Sequence, residues 1–108
     1  MITIDFVTKP KEIIPEYVTD EYGYKHLFDE NGKYNSYDDF PAVVWPTGTK
    51  FWFKHGKYHR DNDLPAIVYS DGTKFWFKNG KCHRDNDLPA VICLNGKKEW
   101  WLNGKRIK

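Results

Sequence analysis

From residue 48 onward, apolar and polar positions alternate in short bursts that restart every 24 residues. The segment GTKFWFKHGKYHRDNDLPAIVYSD (48–71) is followed by GTKFWFKNGKCHRDNDLPAVICLN (72–95) and then by a shortened copy, GKKEWWLNGKRIK (96–108). Counting back by the same interval gives a degenerate earlier copy, YKHLFDENGKYNSYDDFPAVVWPT (24–47). Residues at that interval show what each unit demands: Phe28, Trp52, Trp76 and Trp100; Gly32, Gly56, Gly80 and Gly104; Pro41, Pro65 and Pro89; Ala42, Ala66 and Ala90. Such recurrence within one chain is the signature of a repeated local structure.

Each unit carries two hairpin signals. One follows the aliphatic burst (Thr47-Gly48, Asp71-Gly72, Asn95-Gly96) and the other follows the aromatic burst (His55-Gly56, Asn79-Gly80, Asn103-Gly104). Asn-Gly and Asp-Gly tolerate the positive φ angles of a two-residue type I′ turn. These signals predict short antiparallel strands near 2–7, 24–28, 33–35, 41–46, 49–54, 57–60, 65–70, 73–78, 81–84, 89–94, 97–102 and 105–107. No stretch has helical periodicity. The fold class is all-β, a single-layer twisted antiparallel meander of 24-residue repeats, solenoid-like in plan. Residues 1–23, with Pro10 and Pro15 among interleaved charges, read as a cap on the open edge of the array at 24–108.

Two-residue turns set a register by outward counting. Across Asp71-Gly72, Val68 faces Phe75, Ile67 faces Trp76 and Ala66 faces Phe77; across Asn79-Gly80, Phe77 faces Cys82 and Trp76 faces His83. One face then holds Trp52, Trp76 and Trp100 with His59 and His83, and it repeats closely enough to be the main core. The other holds Phe51, Phe53, Phe75, Phe77, Trp101, Arg60 and Arg84. It drifts along the chain, from Phe75 to Glu99 and from Cys82 to Arg106. It reads as a second core or as a partly exposed aromatic platform. Drift is foreign to a surface that only stacks repeats, and aromatic rings beside Arg compose the centre of many interfaces. Phe53, Phe75, Phe77 and Trp101 are therefore the candidate partner contacts, with Arg60 and Arg84 as orienting charges.

Composition narrows the choice. A chain of 108 residues supports one thin core, and with aromatics at 18% that core is built from rings. Seventeen basic against fifteen acidic residues leave a net charge of +2, which argues against nucleic acid and against an anionic membrane. Cys82 and Cys93 are too few for a disulfide framework, and the register puts them on opposite faces, so both are expected as free thiols in a reducing cytoplasm. No signal peptide or membrane span is read at residues 1–18.

Candidate chemistry is thin. His59-Arg60-Asp61 and His83-Arg84-Asp85 imitate the catalytic loop of protein kinases, but the phosphate loop, the Asp-Phe-Gly and the downstream Asn are missing. The His-x-Asp-x-Asp strings (His59, Asp61, Asp63; His83, Asp85, Asp87) offer ligands of the kind a divalent ion takes, yet Asp-Asn-Asp before Leu-Pro is also a turn-former. His59 and His83 have no paired nucleophile and read as structural. The lysines Lys54, Lys57, Lys78 and Lys81 interleave with aromatics as in single-strand nucleic-acid platforms, but they also suit solvation of sheet edges. The reading is of no catalytic residue, no metal and no cofactor.

At GTKFWFKNGKCHR and the dipeptide that opens each unit, the pattern resembles a divergent MORN-type repeat over residues 24–108. Carried across, the aromatic positions are Phe28, Trp52, Trp76 and Trp100, the turn glycines Gly32, Gly56, Gly80 and Gly104, and the histidines His59 and His83. The chain departs from that pattern in having HRDNDLPA where the usual unit has a tight glycine segment, a variant similar to repeats of phage and large-virus proteins. The resemblance implies an interaction scaffold: a viral or phage module, in host cytoplasm, that binds a host protein or its own copy. A small-molecule trap, nucleotide-like in its ligand, and a metal-assisted hydrolase at the His-x-Asp-x-Asp loops are the rival expectations.

Overall fold

Two turn types alternate along the chain, and they decide which side chains meet. In the computed structural model, residues 14–108 are described; the strand expected at 2–7 and most of the expected cap lie outside them. Among the described residues fourteen strands, each of two residues, follow one another without a helix: β1 (Val18–Thr19), β2 (Lys25–His26), β3 (Val43–Val44), β4 (Lys50–Phe51), β5 (Phe53–Lys54), β6 (Lys57–Tyr58), β7 (Ile67–Val68), β8 (Lys74–Phe75), β9 (Phe77–Lys78), β10 (Lys81–Cys82), β11 (Val91–Ile92), β12 (Lys98–Glu99), β13 (Trp101–Leu102) and β14 (Lys105–Arg106). Eight of them form one antiparallel sheet in the order β1-β2-β3-β4-β7-β8-β11-β12, while β5–β6, β9–β10 and β13–β14 are separate hairpins beside it. The described end of the expected cap thus supplies the edge strand β1.

The hairpin turn at Asn79-Gly80 is the expected one. Both residues have positive φ (52° and 83°), and Phe77 pairs with Cys82. The turn at Asp71-Gly72 is not. Gly72 N–H donates to Tyr69 O and Tyr69 N–H to Thr73 O, both at 2.9 Å, and of the loop residues only Gly72 has positive φ, at 96°. This is a three-residue loop, a type I turn closed by a left-handed glycine. The added loop residue shifts the register by one, so Ile67 pairs with Phe75 and Val68 with Lys74. The same turn recurs before Gly48 and Gly96. A one-residue slip moves a whole strand to the other face.

The expected strand 49–54 is likewise split, and Trp52 is the joint. Its N–H donates to Ala66 O in the large sheet (2.7 Å), while its carbonyl accepts from His59 N–H in the hairpin (3.1 Å). Trp76 repeats this with Ala90 and His83. In the first unit Leu27, not Phe28, bonds the alanine carbonyl, at Ala42, because the turn at 29–33 is one residue longer. Phe28 pairs with Tyr34 instead.

The corrected register puts one continuous row on a single face of the large sheet: Val18, His26, Val43, Phe51, Ile67, Phe75, Val91, Glu99. Val43, Phe51 and Ile67 are its buried centre, with Tyr34, Phe53, Tyr58, Tyr69, Phe75 and Phe77 packed around them. The contiguous apolar cluster is therefore on the phenylalanine face, the second core the sequence allowed, while Trp52 and Trp76 on the other face are buried to the same degree. Among the described residues no large side chain is fully buried. The radius of gyration of 17.1 Å exceeds the roughly 13 Å of a globular domain of this length, as an open array requires.

Phe51 touches rings from both neighbouring elements, Trp45 at 5.1 Å and Tyr58 at 6.2 Å between centroids. Phe51→Ala is expected to cost about 3–5 kcal/mol, a large part of a small domain's stability. Urea unfolding followed by tryptophan fluorescence measures it.

Candidate functional site

On the core face, the hairpins extend the buried row into a ladder of rings. Phe28 and Tyr34 stand 5.1 Å apart, Tyr34 and Phe53 5.1 Å, Phe53 and Tyr58 4.5 Å, and Tyr58 and Phe77 5.2 Å. Side-chain alternation within each hairpin turns these rings to the same side as Phe51. Phe53, Phe75, Phe77 and Trp101, the expected partner contacts, do share this face, and all four are half-buried. The ladder changes character at Cys82, opposite Phe77, and at Arg106, opposite Trp101. Trp101 Nε1 donates to Glu99 Oε1 at 2.9 Å. The drift seen in the sequence has a plain location here: Glu99 sits on the edge strand β12 and Arg106 in the last hairpin.

Arg60 and Arg84 are not beside these rings. They lie on the opposite face, over the tryptophans, and this corrects their expected role as orienting charges. The strand ends after Cys82, so the alternation that put Arg84 with the phenylalanines no longer applies. Arg60 stacks 3.7 Å above the Trp52 ring and Arg84 4.0 Å above Trp76. Arg60 also donates from Nε and Nη2 to the two carboxylate oxygens of Asp39 at 2.9 and 3.0 Å, and from Nη1 to Pro65 O at 3.1 Å. Arg84 does the same with Asp63 and Pro89. The indole Nε1 of Trp52 donates to Asp39 O at 2.9 Å and that of Trp76 to Asp63 O at 3.0 Å. Each guanidinium therefore binds its own loop, the ring beneath it and the loop of the preceding unit.

The loops that receive these bonds are strained in a specific way. Asp38 and Asp39 both have left-handed φ (52° and 61°), as do Asn62 and Asp63 (63° and 56°) and, one unit on, Asn86 and Asp87. Asp and Asn adopt that region more readily than other non-glycine residues. The Asp-Asn-Asp strings are thus turns, but their carboxylates reach outward rather than to their own backbone. Asp61 accepts from His59 Nε2 at 2.9 Å and Asp63 faces Arg84. Among the described residues no three His, Cys, Asp or Glu side chains come together as a ligand set.

His59 and His83 act within the fold. His59 Nδ1 accepts the N–H of Asn79 at 3.0 Å, so a neutral ring carries its proton on Nε2 and gives it to Asp61. His83 does this for Asn103 and Asp85. Each histidine thereby holds the type I′ turn of the next hairpin. Trp52, Trp76 and His59 are buried, whereas Trp100 and His83 are half-buried toward the C-terminal end. The hydrogen bond from His59 holds the Asp61 carboxyl below the usual carboxylate range, and His83 does the same for Asp85. Burial, helped by Glu99, pushes the Cys82 thiol up to about 11, which leaves it a poor nucleophile at neutral pH. Cys82 and Cys93 are both free.

Shallow clefts open between successive loops on the tryptophan side. One of about 340 Å³ is lined by Trp52, His55, Arg60 and Asp61, and one of about 130 Å³ by Leu64, Trp76, His83 and Arg84. Their ring floors are covered by guanidinium groups already committed to carboxylates.

Replacing Arg84 by Lys keeps the charge and loses the fork and the stack, with an expected cost of about 1–2 kcal/mol in chemical denaturation. The depressed folded pKa of Asp61 and Asp85 adds stability above about pH 4, the unfolded value, that disappears as pH falls through the folded value. Thermal melts of Asp61→Asn/Asp85→Asn should lose less than the parent between neutral pH and about pH 3. No protein-family model matches this chain, and neither a curated protein nor a solved structure matches it.

Proposed function

We propose that the chain is a non-enzymatic interaction module whose open aromatic face docks on a protein, either a partner or a second copy of itself. The observation that carries this reading is the ladder from Phe28, exposed, through the half-buried Tyr34, Phe53, Tyr58 and Phe77, with no second layer over it among the described residues. Rings left at a water boundary are the usual energetic centre of protein interfaces. The recurrent aromatic strand with its Asn-Gly-Lys turn supports taking the repeats as divergent members of the MORN type, and with that the proposal of a viral or phage scaffold acting on a host protein.

Phe75 belongs to the buried row, so its loss destabilises as well as exposes. Phe77 also packs against the buried cluster, whereas Trp101 lies outside it and separates the two effects. Phe77→Ser and Trp101→Ser are expected to weaken association by about 1–3 kcal/mol. Sedimentation equilibrium reads self-association, and mass spectrometry of proteins retained on a column of the immobilised chain reads a partner. Parent and Trp101→Ser chains that retain the same proteins in equal amounts, with the same mass distribution, contradict the proposal.

A further inference from the structure

The reverse of the large sheet carries a second periodic row. Cross-strand partners run Lys25, Val44, Lys50, Val68, Lys74, Ile92, Lys98, one residue from each strand between β2 and β12. These residues neighbour the core row in sequence, so their side chains point away from it. Every second strand supplies a lysine, which sets successive stems about 9.6 Å apart, twice the strand spacing. Lys25, Lys50 and Lys98 are exposed, and Lys74, Val44, Val68 and Ile92 are half-buried.

None of the four lysines forms an ion pair among the described residues. Lys50 and Lys74 each give one Nζ bond to a turn carbonyl, Gly48 O at 3.4 Å and Gly72 O at 3.3 Å. An ammonium has three donors, so two remain on each. The small net charge of +2 conceals this segregation, because acids Asp61, Asp63, Asp85 and Asp87 are gathered in the loops.

We propose that this row is a docking strip for an extended acidic polypeptide with a carboxylate at every third residue. A chain in polyproline II conformation rises 3.1 Å per residue and has three residues per turn, so its every third side chain recurs on one side at about 9.3 Å. That matches the lysine interval, and the stretch of chain between successive carboxylates passes over Val44, Val68 and Ile92. The right-handed twist of strands rotates each by some 20–25° from its neighbour, so the row winds. A flexible chain follows a wound row, whereas a flat lipid surface meets only part of it. Nucleic acid is served less well. No residue of the row itself carries a ring for a base to stack on, the Tyr17 ring meets only Lys25 at one end, and Trp52 and Trp76 lie under Arg60 and Arg84.

The test uses a labelled peptide of four Glu-Pro-Pro triplets and a control of equal composition with its glutamates in one block, at low ionic strength, where surface charges act over about 30 Å. Fluorescence anisotropy should show saturable binding of the triplet peptide, tighter than of the block peptide. Lys50→Gln/Lys74→Gln should weaken it about tenfold, since two charge-assisted contacts are lost, while Trp101→Ser leaves it unchanged. Lys25→Gln/Lys98→Gln, at exposed positions nearer the sheet ends, should weaken it in the same direction if the central pair proves unstable in a thermal melt. Absence of saturable binding, equal binding of the block peptide, insensitivity to both lysine pairs, or tighter binding of oligothymidylate or phosphatidylserine vesicles each overturns the proposal.

Discussion

The guanidinium of Arg60 or Arg84, pressed on a tryptophan ring and forked onto the aspartate of the preceding loop, ties the loops of successive units together where the shared sheet does not reach. Strands of two residues carry few ladder bonds, and among the described residues no large side chain is fully buried. In an array of this kind, stability is close to a sum of unit and neighbour-interface contributions, so what joins neighbours governs cooperativity. The clamp does so with a charge that is shielded from water and satisfied at once by a carboxylate, one loop carbonyl and a π face. The ends are built differently. In the first unit Tyr17 donates its hydroxyl to Pro41 O, the place taken further along by arginine at Pro65 and Pro89. At the other end Lys108 reaches Asp87 at 3.2 Å and lies 5.2 Å from the Trp100 centroid, a point charge in place of a fork.

This arrangement divides labour between the two sides of the sheet. Tryptophan, histidine, arginine and the loop aspartates satisfy one another, which removes them from the stock of groups available for catalysis or for stacking on a ligand. The phenylalanine side buries its centre at Val43, Phe51 and Ile67 and leaves the hairpin rings partly wet. Partner docking is therefore proposed where the apolar surface is incompletely covered and where lysines of the reverse row lack an ion-pair partner among the described residues, and structure is assigned where arginine and histidine bind the loops.

Much of the fold is legible in the sequence, because the interval of 24 and the Asn-Gly dipeptides each point to one structure: an antiparallel meander with type I′ turns at Asn79-Gly80 and Asn103-Gly104. The faces are not, because Asp71-Gly72 is compatible with a two-residue turn and with a type I turn closed by glycine, and one residue of loop length exchanges Phe75 for Trp76 opposite Ile67. The clamp had a readable signal. Asp39, Asp63 and Asp87 recur at the same interval as Trp52, Trp76 and Trp100, and as Arg60, Arg84 and Lys108. Three co-periodic types, one aromatic, one cationic and one anionic, describe an interaction between units. Strand alternation alone hides it, since Arg60 and Arg84 lie just past the strands that set the alternation.

Hydrogen exchange of the indole N–H groups tests the joining of units most directly. Trp52 and Trp76 donate these protons to the loop carbonyls of Asp39 and Asp63 beneath the arginines. If the clamps couple the array, both protons exchange only through a shared opening, with the same protection free energy, and Arg84→Lys lowers both together. Exchange of the Trp76 indole at the rate of a free indole, or a loss of protection confined to Trp76 in Arg84→Lys, contradicts the account.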